Sequence, residues 1–302
     1  MQKIIIFIVV FISPLIAGYE TLMYDRFADG ERVSQSLPDS ARWFTKMPPE
    51  SVFTSSHGLD YRIETAPYGV QQVWCHFTPA GQQVCLESGE QIRLRVVLEM
   101  LSGSDASWDR GLMLGLFNSM GTRDETDGTY SSANRNDDNG FFIITNPGKT
   151  TYNYAKLCMV TENTSSDHFV NYTVLNTFTS YNMSTEAVDI SFDILRVPGG
   201  LKINSVIGPY SSIYDEFIPI EDGSDYLCFD TISLFLDGRA FPGDIGAFGL
   251  DFAGVYLYRT DACSETCGYG NRLAGDINRD CYVNIIDFYV LSRQWLWETA
   301  LQ

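Results

Sequence analysis

Residues 91–100 read Gln-Ile-Arg-Leu-Arg-Val-Val-Leu-Glu-Met, and this run decides the fold. Ile92, Leu94, Val96, Leu98 and Met100 alternate with Arg93, Arg95, Val97 and Glu99. Successive side chains of a strand point to opposite faces, so a period of two with charge on alternate positions predicts a half-buried strand. Its apolar face belongs in a core and its charged face in water.

The same pattern recurs on either side of that run. Leu112, Leu114 and Leu116 alternate with Gly111, Met113, Gly115 and Phe117; the leucines are expected to face the core and the glycines to leave room on the opposite face. Val188, Ile190, Phe192 and Ile194 alternate with Asp189, Ser191 and Asp193. Ile232, Leu234 and Leu236, then Val255 and Leu257, repeat the alternation. Residues 19–259 contain no convincing long amphipathic helix. Many strands with turn signals between them predict a mainly β chain, a large antiparallel β-sandwich of jelly-roll type over residues 19–260.

Both ends read differently. Residues 1–18 begin Met-Gln-Lys, run apolar from Ile4 to Ala17 and offer a small residue for cleavage, the make-up of a secretory signal peptide. The apolar run falls short of the ~20 residues that cross a bilayer, and no other segment is apolar enough to span one. The expected localisation is secreted or cell-surface, with no transmembrane segment after signal cleavage. Residues 261–274 form a short linker rich in Cys, Gly and polar residues. A formal net charge of −18 excludes nucleic acid and anionic membrane surfaces as natural partners.

In an exported chain some of the seven cysteines should pair. Cys75 and Cys85 lie at equal distance from a turn-rich centre near Ala80, so a disulfide across a hairpin is expected between them. Cys158 and Cys228 are left in the large region. Of Cys263, Cys267 and Cys281 in the tail, one of the first two is expected to bond Cys281.

Residues 275–297, GDINRDCYVNIIDFYVLSRQWLW, carry the clearest local chemistry. Asp276, Asn278, Asp280, Asn284 and Asp287 place side-chain oxygens at positions 1, 3, 5, 9 and 12 of a loop, and Tyr282 at position 7 can supply its carbonyl. A large hard cation takes six or more oxygens, so calcium is the expected cofactor. Phe288, Leu291 and Trp295 follow at helical spacing, predicting a short helix. The stretch resembles one calcium-binding repeat of a type I dockerin, with D-x-N-x-D-x-x-V-N-x-x-D complete in its oxygens. It departs in having Cys281 where calcium loops place Gly, Ile285 and Ile286 where dockerins carry polar contact residues, and a single repeat. The resemblance implies an EF-hand-like module at 275–302 and a cohesin-like partner. The large region is loosely similar to concanavalin-like and laminin-G-like jelly rolls of secreted bacterial proteins, through Arg110 to Ser119 and Gly246 to Arg259. That likeness implies a polysaccharide as partner.

Catalytic motifs are scarce. Glucanases of that fold carry Glu-x-Asp-x-x-Glu on one strand, which this sequence lacks; the nearest carboxylate pair is Asp189 with Asp193. His57, His76 and His168 form no zinc-hydrolase motif, and no G-x-S-x-G elbow is present. Asp124, Glu125, Asp127, Asp137 and Asp138 cluster in a polar loop that reads as solvated or as a second cation site. Trp43, Trp74 and Trp108 are candidates to stack on sugars, although core packing is the commoner fate of a sandwich Trp. Asn163, Asn171 and Asn182 read as surface-loop residues. The reading is a secreted, non-catalytic, carbohydrate- or surface-binding sandwich with a calcium-binding docking tail. The alternatives are a glycoside hydrolase or lyase with an unrecognised site, and a structural or adhesive surface protein.

Overall fold

Alternation becomes strand in a computed structural model that describes residues 19–46, 52–56, 58–62, 70–102, 112–128, 137–145, 154–160, 169, 171–179, 187–208, 211–237 and 247–259. In chain order the strands are β1 (Tyr19–Asp25), β2 (Trp43–Thr45), β3 (Val52–Ser55), β4 (Gly58–Arg62), β5 (Val70–His76), β6 (Val84–Cys85), β7 (Gln91–Ser102), β8 (Leu112–Asn118) and β9 (Asn139–Thr145). They continue as β10 (Tyr154–Val160), β11 (Tyr172–Thr179), β12 (Val188–Val197), β13 (Gly200–Ile207), β14 (Ser211–Pro219), β15 (Cys228–Phe229), β16 (Thr231–Asp237) and β17 (Ala247–Tyr258). A single 3-10 turn, Asp225–Leu227, is the only helical piece among the described residues.

Eight strands form one antiparallel sheet in the order β14-β13-β12-β7-β17-β4-β3, with β1 joined to β17. Seven form the other, β11-β10-β9-β8-β16-β5-β2. Neighbours far apart in sequence, such as β7 beside β17 and β8 beside β16, give the crossing connections of a jelly-roll sandwich. β6 and β15 form a separate ribbon.

The core lies between the two large sheets. Ile92, Leu94, Val96 and Leu98 of β7 meet Leu112, Leu114 and Leu116 of β8, Ile190, Phe192 and Ile194 of β12, and Val255 and Leu257 of β17, all essentially buried. On the other face of β7, Arg93 pairs with Asp193 at 2.7 Å and Arg95 with Asp189 at 2.6 Å. The alternation in 92–98 thus sorts core from water as the sequence requires.

The opposite face of the seven-stranded sheet is also buried. Met113, Phe117, Phe142, Ile144, Cys158, Val160 and Phe235 form a second apolar cluster, closed by Phe169. Phe169 meets Phe142 edge-on at 5.0 Å and Phe117 at 5.3 Å, the offset geometry aromatic quadrupoles prefer. Gly115 sits under this layer. A Cβ there would lie 2.5 Å from the Phe142 Cβ and 2.4 Å from the Phe141 carbonyl, so the close approach of β8 and β9 requires glycine.

The expected Cys75–Cys85 disulfide does not form. Cys85 bonds Cys228, 143 residues away in sequence. β6 does not fold back on β5; it pairs with β15, placing Cys85 opposite Cys228. Cys75 is a buried thiol whose Sγ lies 3.5 Å from Met23 Sδ, and Cys158 is likewise buried and not in a disulfide.

The strands make up one compact unit, Glu20–Tyr258. The calcium-loop residues, the expected helix after them, the linker, the signal segment and Trp108 lie outside the described residues. No helix among the described residues is long and apolar enough to cross a membrane.

Peptide mapping without reduction should recover Cys85 linked to Cys228, and Cys75 and Cys158 should alkylate only after unfolding. A Cys75–Cys85 linked peptide would contradict this topology. Breaking the bond with Cys85→Ala should cost about 2–5 kcal/mol of stability, read by denaturant titration.

Candidate functional site

The strongest polar convergence lies where β5, β8 and β16 end together. Asp230 stands between β15 and β16 and is 1% exposed. A buried carboxylate persists only when donors surround it. Here Ser119 N donates to Oδ1 at 2.9 Å, the Ser119 hydroxyl donates to Oδ2, and the Thr231 hydroxyl reaches Oδ1 at 2.7 Å. The Arg123 guanidinium lies 3.6 Å from Oδ2. Asp230 also ties the backbone, its N–H donating to Phe117 O and its carbonyl accepting from Phe77 N, each at 2.9 Å.

Arg123 extends the network outward. Its Nη1 donates to Thr78 O at 2.8 Å, and its Nη2 donates to Thr78 Oγ1 and to Gln82 O. Asn118, the last residue of β8, accepts from Gln83 Nε2 and from Met120 N, and its Nδ2 donates to Asp225 O at 2.9 Å. Together these groups wall a cleft of about 290 Å³ lined by Gly81, Gln82, Gln83, Asn118, Met120, Gly121, Arg123, Asp225 and Asp230. One rim leads into β6 and the other precedes β15, so the Cys85–Cys228 bond joins the two walls covalently.

His76 sits behind the cleft, buried. Its Nδ1 lies 2.8 Å from Thr231 Oγ1 and its Nε2 3.2 Å from the Asp124 carbonyl. The single Thr231 hydroxyl proton serves either His76 or Asp230 at one time. Burial is the largest influence on His76 and pushes it down to about 4; the Asp230 carboxylate opposes this and the Arg123 charge reinforces it. The imidazole is therefore neutral at neutral pH.

Two of the tryptophan candidates are structural. Trp43 and Trp74 are fully buried, Trp43 Nε1 donating to Asp25 Oδ2 at 3.0 Å and Trp74 Nε1 to Asp124 O at 2.8 Å. Asp189 and Asp193 are the partners of Arg95 and Arg93 on a strand face, an ion-paired surface. The acidic loop is drawn to separate partners. Asp127 pairs with Arg32 at 3.2 Å and accepts from Thr45 N, Asp137 accepts from Thr122, and Asp124 accepts from Thr126 N. Among the described residues no group of three or more His, Cys, Asp or Glu is placed to hold a metal. A larger hollow of about 490 Å³ opens beside β7 and β17, lined by Arg26, Phe27, Ala28, Gly30, Ser55, Ser56, Gly58, Glu99 and Asp251.

Sequence reading did not single out Asn118, Arg123, Asp225 or Asp230. They come from two stretches far apart in sequence and form no local motif. The available signal was Asp230 itself, a carboxylate set between Phe229 and the apolar run of β16.

His76 carries a pH signature. Its ordinary value is 6.5 and its folded value about 4, so between these the unfolded chain binds a proton that the folded one refuses. Stability from this group is therefore flat above pH 6.5 and is lost as pH falls toward 4. Denaturation midpoints at pH 7 and 4.5 should differ less in His76→Gln than in the wild type; an identical difference would contradict the assignment.

No family model matches the sequence, and no curated protein matches it. Among solved structures the chain is similar to the metal-free carbohydrate recognition domain of Emp46p, at 7% identity and TM-score 0.45 over 70% of this chain and 87% of that one. It is similar to the VIP36 exoplasmic/lumenal domain in its Ca2+/Man-bound form, at 14% identity and TM-score 0.45 over 79% and 91%. A third is the endo-1,3-beta-glucanase of Streptomyces sioyaensis, at 12% identity and TM-score 0.48 over 80% and 97%. At these levels the likenesses assign no ligand.

Proposed function

We propose that the chain is a secreted, non-catalytic glycan-binding sandwich whose tail binds calcium. The observation that carries the binding reading is the cleft over Asp230. Gln82, Gln83 and Asp225, two amides and a carboxylate, line its walls, with the buried Asn118 amide behind them. Amide and carboxylate groups match the paired hydroxyls of a sugar, and a hydroxyl can donate and accept at once. Bonds to Asp225 O and from Gln83 Nε2 hold Asn118 in place, so little ordering remains to be done on binding. The size suits about one glycosyl residue, at the small end of ligand sites.

The tail reading rests on donor chemistry. Asp276, Asn278, Asp280, the Tyr282 carbonyl, Asn284 and Asp287 make an all-oxygen set, which suits a hard cation. Without a cation the three carboxylates repel one another, so calcium uptake and ordering of the loop would be linked. A cohesin-like protein is the partner this module would dock to.

A second reading, a glycoside hydrolase, is favoured by the hollow that Glu99 and Asp251 both line, since such hydrolysis uses a carboxylate pair. Release of reducing ends that Glu99→Gln abolishes would establish it over the binding reading.

An oligosaccharide array with the full chain should give hits, and Gln82→Ala and Gln83→Ala should each weaken them about two- to tenfold, the worth of a hydrogen bond; the melting temperature should stay unshifted in Gln82→Ala, while Gln83→Ala also removes the bond to the buried Asn118. Unchanged binding in both variants would remove the cleft as the site. Calorimetry should show calcium uptake that Asp276→Ala and Asp280→Ala abolish; no uptake at millimolar calcium would remove the tail reading.

A further inference from the structure

We infer that the cleft sorts ligands by charge, admitting neutral glycosyl residues and turning away uronate and sulfated ones, with Asp225 as the discriminating group. This rests on the cleft being the glycan site.

Arg123 is the one cation lining the cleft among the described residues. Three of its N–H donors go to Thr78 O, Thr78 Oγ1 and Gln82 O, and its charge faces Asp230 at 3.6 Å. The guanidinium side chain is 9% exposed and the Asp230 side chain 1%. A ligand carboxylate that drew Arg123 away from Asp230 would undo this pairing. That would leave a buried charge without its counter-ion, which is strongly unfavourable.

Asp225 presents the opposite situation. Its backbone carbonyl is fixed by Asn118 Nδ2 at 2.9 Å, while the residue itself is exposed at the rim. The charge a ligand meets on entry is therefore an exposed carboxylate beside the neutral amides of Gln82 and Gln83. A further exposed acid, Glu221, precedes it in the chain, while Asp222 is paired with Arg196, and the molecule as a whole carries −18. A carboxylate accepts hydroxyl protons from a neutral sugar but repels a second anion, and a field of one sign slows approach of polyanions.

The test uses the full chain with three probe sets: neutral gluco-oligosaccharides and manno-oligosaccharides, oligogalacturonates, and sulfated carrageenan oligosaccharides. Each is titrated at low and high salt against wild type, Asp225→Asn and Asp225→Lys. The expected result is binding of a neutral probe, no comparable binding of anionic ones, and about a tenfold gain for oligogalacturonate in Asp225→Lys at low salt that shrinks at high salt. Melting temperatures report whether each variant stays folded; Asp225→Asn, isosteric and exposed, keeps the comparison open if the lysine variant does not. With Asp225→Asn, the neutral-over-anionic preference should narrow. Wild-type binding of oligogalacturonate as tight as any neutral probe would overturn the charge inference while leaving the cleft as the site. Binding of no probe in any set would overturn the cleft reading, and the inference with it.

Discussion

The end of the sandwich that holds the cleft depends on one buried carboxylate. Asp230 breaks an apolar stretch between Phe229 and Ile232, and the protein holds it by converging hydroxyls, a backbone N–H and a guanidinium on it. Those donors come from the residue after β8, from the start of β16 and from the loop that follows β8. Satisfying a single ion therefore fixes how three segments end relative to one another. Replacing such a pair with apolar groups is often neutral for stability, so its retention here fits a role in position and specificity. The cleft is the outer boundary of that arrangement, with Arg123 as their shared wall.

A second constraint acts on the sheet that bears these residues. The seven-stranded sheet is apolar on both faces, so its outer side must be covered. Phe169 covers the part around Phe117 and Phe142, and the segment around Asp124 to Gly128 covers the part around Trp74, with Gly128 N donating to Thr45 O at 2.8 Å. The cover removes Trp74, Phe44 and His76 from solvent. A face that would otherwise offer a broad aromatic platform becomes a second core, and polar chemistry is displaced to the strand ends.

How far the sequence announced this differs by element. β7 and β12 were legible because each has one wet face, so charge marks the register residue by residue. β8 was half legible: Leu112, Leu114 and Leu116 gave the inner face, but Met113 and Phe117 alone do not reveal that Phe169 will cover them. The cysteines were misread because equal spacing about a turn suggests a hairpin only if the two arms pair. β6 instead finds β15 across a separation that no local pattern encodes. The cleft was illegible for the same reason. Asn118, Arg123, Asp225 and Asp230 are ordinary polar residues until the topology brings β8, the loop after it and the β15–β16 junction to one end. The oxygen spacing at Asp276 to Asp287 is a different case, a local pattern whose residues lie outside the described ones.

The two readings bear on each other through affinity. Trp43 and Trp74 are sealed in the interior, so a sugar held over Asp230 is held by hydrogen bonds. Each such bond exchanges with water and nets only about 0.5–1.5 kcal/mol. A cleft for about one glycosyl residue offers room for a few of them, before the loss of ligand freedom is counted. A single site of this kind binds weakly. Tethering changes that arithmetic, because a module fixed beside a polysaccharide or beside other modules rebinds at a high effective concentration. A weak polar cleft and a docking tail, as proposed, would be complementary: the cleft would supply selectivity, and attachment through the tail the avidity that the cleft lacks.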